Sequence, residues 1–98
     1  MPDKYPAIEL INNTTAHQFE IMAEGYLSKM LYTRSGNVYN LMHTEVPSVL
    51  EGKGIGSSLI EKVFVYLEKN NLKMKPYCPF VRAFLKRHPE WERLRAEE

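Results

Sequence analysis

Ninety-eight residues, 44% hydrophobic and 26% charged, are enough for one folded domain over residues 1–98 and exclude a disordered chain. Thirteen Lys and Arg against twelve Asp and Glu leave a net charge of +1, a balance that does not select nucleic acid or a membrane surface as partner. No apolar run spans a bilayer, MPDKYPAIEL lacks the pattern of a signal peptide, and Cys78 has no second cysteine to pair with, so a cytoplasmic protein is expected.

Residues 1–7, with two prolines, read as a loose lead-in, Ile8 to Ile11 as a short strand, and Asn12 to Thr15 as turn chemistry. From Gln18 the pattern alternates, with Phe19, Ile21 and Ala23 on one face and Gln18, Glu20 and Met22 on the other. Glu24 and Gly25 mark a reversal before a second strand, Tyr26 to Thr33. Arg34 to Asn37 mark another before a third, Val38 to Val46. Apolar residues on both sides of the third strand predict that it is central and covered on both faces.

Pro47 ends that strand, and Glu51-Gly52-Lys53-Gly54-Ile55-Gly56 follows as a glycine-rich loop. Ile55, Leu59, Ile60, Val63, Phe64 and Leu67 recur at helical spacing, opposite Ser57, Ser58, Glu61, Lys62, Glu68 and Lys69. Asn70 and Asn71 supply the helix stop, because Asn tolerates the left-handed conformation. Leu72 to Tyr77 reads as a strand reached by a crossover helix, hence parallel to its neighbour. Pro79 suits the first position of a last helix, whose apolar stripe is Phe80, Val81, Phe84, Leu85 and His88. Pro89 stops that helix, Trp91 anchors a short turn, and residues 96–98 are expected to fray. The fold class is α+β: a mixed, mostly antiparallel sheet made of a three-stranded meander, a crossover helix, a further strand and a C-terminal helix.

A glycine loop feeding a helix N-terminus presents unpaired amides and the positive end of the helix dipole, an arrangement suited to phosphate. A tight turn without ligand is the alternative. The spacing fits neither the nucleoside-triphosphate loop nor the dinucleotide fingerprint. His43, His17, His88 and Cys78 have no metal-ligand spacing, so no metal is expected.

The segment Glu51 to Gly56 resembles the Arg/Gln-x-x-Gly-x-Gly/Ala pyrophosphate loop of the GCN5-related N-acetyltransferase superfamily, with an acidic residue at its first position. HTEVP, LEGKGIG, PYCPFV and RHPEW, in that order, resemble a minimal acetyltransferase-like subfamily of about one hundred residues, and the likeness covers nearly the whole chain. The resemblance implies a minimal acyl-CoA N-acyltransferase fold and an N-acetyltransferase that moves acetyl from acetyl-CoA to an amine on a small molecule or protein. A coenzyme A-binding module with little transferase activity is the alternative. No nucleic acid or membrane partner is expected, and the chain is expected to be a monomer or weak homodimer.

By the same resemblance, coenzyme A lies in a cleft between the strand ending at Val46 and the strand ending at Tyr77. Thr44 to Val46 would pair with the pantetheine arm. Amides of Glu51, Gly52, Lys53, Gly54, Ile55, Gly56 and Ser57 would hold the diphosphate, and the Lys53 side chain either adds a charge or is solvated. His43 is either a half-buried strand histidine or a base near the thioester, with Glu45 on the same face orienting it or serving as the base itself. Cys78 is either structural or, at a helix N-terminus near the acetyl sulfur, an acid or transient acyl carrier. Phe84 stands where many superfamily enzymes carry an acidic tyrosine, and Tyr77 is the nearest substitute. Lys73, Lys75, Arg82, Lys86 and Arg87 read as a solvated face, with Arg82 and Lys86 the candidates for the coenzyme's 3′-phosphate.

Overall fold

In the β-strands, side-chain alternation decides which residues form the core. The computed structural model describes residues 3–97. Strands β1 (Ile11–Asn13), β2 (Gln18–Ala23), β3 (Tyr26–Ser35) and β4 (Val38–Glu45) form an antiparallel meander, and β5 (Lys73–Pro76) adds to β4 in parallel. Phe19, Ile21 and Ala23 of β2, Met30 and Tyr32 of β3, and Tyr39 and Leu41 of β4 are buried on one face. The meander thus has one strand more than the sequence predicts. Its first strand starts at Ile11 and takes in Asn12 and Asn13, which the turn propensity of Asn had hidden.

Helix α1 (Ile55–Lys69) packs across β2 and β3, and α2 (Pro79–Arg87) packs across β4 and β5. The helices share one face of the sheet, where the Phe64 ring meets Phe84 edge-on at 5.8 Å. All six residues of the predicted α1 stripe are buried. The helix ends in a Schellman arrangement: Leu72 N–H donates to Leu67 O, Asn71 N–H donates to Glu68 O, and Asn71 itself has φ +57. Pro89–Leu94 forms a 3-10 segment that brings Trp91 to 5.5 Å from Phe64.

The other face of the sheet carries exposed Met22, Leu27 and Met42. The expectation that β4 is covered on both faces is therefore wrong: its apolar residues are split between a buried face and an open one. Both helices pack on the other face, so no helix covers this one. Strand β4 also carries a β-bulge. Leu31 pairs with His43 but Tyr32 pairs with Leu41, so Met42 is an extra residue in β4. Strict alternation from Tyr39 and Leu41 would send His43 and Glu45 into the core. The bulge resets the phase, turning His43 and Glu45 to the open face and Thr44 inward.

Neither end of the chain is as loose as the sequence suggests. Asp3 Oδ1 accepts from Ser58 Oγ at 2.5 Å, Asp3 Oδ2 accepts from Lys62 Nζ at 2.6 Å, and the same ammonium donates to Tyr5 O. At the other end, Ala96 N–H donates to Met74 O at 2.8 Å, so Ala96 is held against β5. Met1, Pro2 and Glu98 lie outside the described residues.

Candidate active site

Pairing between β4 and β5 ends at Leu41 and Pro76, with a last bond from Cys78 N–H to Leu41 O at 2.8 Å. Strand β4 continues to Glu45 with β3 as its only strand neighbour among the described residues. The sheet is split there, and the split opens onto a groove of about 590 Å³ lined by His43, Thr44, Glu45, Val46 and Phe80.

His43 and Glu45 stand together on the open face. Glu45 Oε2 lies 3.2 Å from His43 Nε2, and Glu45 Oε1 lies 3.6 Å from Lys29 Nζ on the neighbouring strand. Both side chains of the first pair are half or more exposed, so this carboxylate orients the imidazole without burying it.

Cys78 lies on the other side of β4. Its thiol is buried, 2% exposed, and Sγ is 3.4 Å from Thr44 Oγ1. Cys78 is the N-cap residue of α2, followed by Pro79 at the first helical position. Of the predicted catalytic residues, the structure therefore groups His43 with Glu45 and separates both from Cys78 by the thickness of the strand. Tyr77 is 51% exposed at the β5–α2 turn, whereas Phe84 is buried against Phe64 and His88.

The glycine loop closes the groove at its far end, around a smaller hollow of about 240 Å³ that reaches from Val46 to Ser57. Glu51 N–H donates to Ser48 O and Lys53 N–H to Leu50 O. The amides of Gly52, Gly54, Ile55, Gly56 and Ser57 find no acceptor among the described residues, and Ser58 N–H makes the first helical bond, to Gly54 O. Gly54 caps α1 with φ +79 and Gly52 has φ +81, conformations that favour glycine. The Lys53 side chain points away from these amides, to Glu24 at 3.0 and 3.2 Å.

Basic groups near the loop come from elsewhere. Lys4 passes over Gly54, with Nζ 3.7 Å from where a Cβ would stand, and shares a cavity of about 330 Å³ with Arg87 and His88. Arg82, in contrast, is occupied by the carbonyls of Pro76 and Tyr77. The clamp that holds Lys4 there includes Asp3. Burial pushes the Asp3 carboxyl up, but bonds from Lys62, Ser58 and the Tyr5 amide outweigh it and hold the group below the usual carboxylate range. Sequence reasoning missed Lys4, because two nearby prolines suggested a loose end. It also took Phe80 for a core residue, although Phe80 precedes the buried positions Val81, Phe84 and Leu85 and is 40% exposed.

A split beside a glycine loop at a helix N-terminus has a counterpart among known proteins. The family described as GCN5-related N-acetyl-transferase matches residues 18–94. The chain belongs to the GCN5-related N-acetyltransferase family. Protein NATD1 of Bos taurus is 25% identical over 91 residues, covering 90% of this chain and 80% of its own length. Protein NATD1 of Xenopus tropicalis is 26% identical over 90 residues, covering 89% and 83%. The NMR solution structure of a GCN5-like protein from Staphylococcus aureus matches with a TM-score of 0.68 at 25% identity, over 92% of this chain and 89% of that one. Within the GCN5-related N-acetyltransferases, then, this chain carries an acidic Glu51 at the head of its loop, and its nearby cations are on the N-terminal segment and α2.

Proposed function

We propose that the protein is an acetyl-coenzyme A-dependent N-acetyltransferase acting on an amine that arrives over the open face of the sheet. The observation that carries this reading is the row of unbonded amides at Gly52 and Gly54–Ser57, set where β4 outruns β5. Such amides, at the positive end of a 15-residue helix, fit a diphosphate. The unpaired edge of β4 from His43 to Val46 fits an amide-bearing arm laid beside it as an added strand.

Acetyl-coenzyme A would supply an activated acyl group whose thiol is the leaving group. The chain's own residues would then position and move protons. The His43 imidazole takes the proton of the attacking amine, with the Glu45 carboxylate beside it at 3.2 Å. On the other side of β4, the Cys78 thiol, held by Thr44, supplies a proton to the departing sulfur. A buried thiol already in contact with a hydroxyl suits proton donation better than carrying an acyl group, which needs room around Sγ. Positioning would supply most of the acceleration.

A coenzyme A-binding module with little transferase activity is the second reading. It is favoured by Phe84, which is buried and has no proton to give. Calorimetric titration with acetyl-coenzyme A, followed by thiol-release assays over a panel of amines and lysine peptides, separates the two. Binding with acceptor-dependent thiol release is expected. Binding without release for any acceptor supports the module, and no binding removes both.

A further inference from the structure

The ring of Phe80 stands where the two halves of the groove meet. With Val46 and Glu51 it lines both the compartment at His43 and the hollow at the glycine loop. Its Cε2 and Cζ lie 2.6 and 2.8 Å from the point a Cβ on Gly56 would occupy, and Val46 Cγ2 lies 3.4 Å from the same point. The ring therefore closes against the bare Cα of Gly56, beside Val46, and any larger residue at 56 would have to push it away. Phe80 lies outside the buried stripe of α2, so the core does not hold its ring in this position.

We propose that Phe80 is the residue that decides which ligands can span the groove: its ring separates the two compartments and has to swing off Gly56 before one molecule can reach from the loop amides to His43. This rests on the coenzyme reading above, because only a long ligand with a phosphate at one end and a reacting group at the other needs both compartments. Such a ligand binds the swung-out form alone, so the closed ring lowers its apparent affinity by the fraction of molecules that are open. The exposed position of the ring and its placement on the first turn of α2 leave it free space to turn into. Glycine at 56 is then required by the closed ring and not by the helix, whose backbone would accept alanine.

The test is an NMR titration of the full chain with coenzyme A, alongside Phe80→Ala and Gly56→Ala. In the free protein, Phe80 ring protons should show NOEs to the Gly56 Hα protons, and saturation with coenzyme A should remove them. Phe80→Ala should bind coenzyme A about tenfold tighter if the ring is closed about nine-tenths of the time. Gly56→Ala should move the Phe80 resonances before any ligand is added. If amides 43–46 and 52–57 both shift at saturation while the NOEs persist, or if Phe80→Ala binds no better than wild type, the gate is overturned and the coenzyme reading stands. If wild type shows no shifts but Phe80→Ala does, the gate is supported. If neither protein responds, the coenzyme reading falls and the gate with it.

Discussion

The Thr44 hydroxyl lies 3.4 Å from the Cys78 sulfur, joining the split end of β4 to the residue that opens α2. This contact exists because the bulge at Met42 turns Thr44 inward, and the bond from Cys78 N–H to Leu41 O pins the other partner. The pair thus lies on the helix side of β4, with His43 and Glu45 on the open side. On the proposed reading, with a base on one side of the strand and an acid on the other, the attacking and leaving groups would approach from opposite sides.

Replacing Cys78 with Ala should lower kcat by about tenfold to a hundredfold, the range expected when a positioned acid is lost, with acetyl-coenzyme A affinity unchanged. Intact-mass measurement of wild type after incubation with acetyl-coenzyme A should show no added acetyl group on Cys78. A stable one-acetyl increment that disappears in Cys78→Ala would instead make the thiol a carrier.

On the proposed reading His43 would meet the acceptor and not the diphosphate, so His43→Ala should cost about a hundredfold or more in kcat and leave acetyl-coenzyme A binding intact. Glu45→Gln should cost about tenfold, because it removes the carboxylate that stands beside the imidazole. Equal activity for wild type and His43→Ala across the amine panel would favour the binding-module reading.

The Asp3–Lys62 clamp should make stability fall in acid. The Asp3 carboxyl is held below its ordinary value of 3.8, so its contribution is present above that value and is lost as pH falls through the lower folded value. Asp3→Asn should cost about 1–3 kcal/mol at neutral pH, since these bonds are charge-assisted and largely shielded from water. Urea unfolding of wild type and variant should converge once pH drops well below 3.8. A difference that stays constant with pH would contradict the ionic origin.

A second network should show the opposite limit. Asn12 Oδ1 accepts from Tyr32 OH at 2.5 Å, and its Nδ2 donates to Tyr39 OH and Tyr66 OH at 3.4 and 3.3 Å. Burial raises the Tyr32 and Tyr39 phenols above their ordinary value of 10.0, so the stability they carry is full below that value and is lost as pH rises through their folded values. Asn12→Ala should cost about 1–3 kcal/mol near neutral pH by leaving these hydroxyls without their shared partner. Alkaline unfolding monitored by tyrosine absorbance should begin at lower pH in the variant, and coincident curves would remove Asn12 from the account.

Much of this organisation was legible in the chain. Strict alternation placed β2 at its observed bounds, and 3.6-residue spacing found the six apolar buried positions of α1, though it set Ser58, which is buried, on the opposite face. The parallel placement of β5 followed from the crossover helix. What escaped was set by tertiary contact. Apolar residues on both sides of β4 pointed to a strand covered on both faces, although both helices pack on one, and no local signal marks Met42 as a bulge. Two prolines hid the clamp at Asp3, and asparagine's turn propensity shifted the first strand, expected over Ile8 to Ile11, from its observed place at Ile11–Asn13. Lys53 was a candidate phosphate ligand by position in the loop, yet Glu24, across from it at the β2–β3 turn, takes its charge. Phe80 read as core because apolar character is visible in sequence and the side of a helix it occupies in the first turn is not.

The most direct measurement is an amide-resolved NMR titration of the wild-type protein with acetyl-coenzyme A. The account predicts saturable shifts at one equivalent, largest for the unbonded amides of Gly52 and Gly54–Ser57 and continuing along β4 from His43 to Val46. Shifts confined to another part of the surface, such as the hollow between Glu68 and Arg93, or no shifts at all, would contradict it.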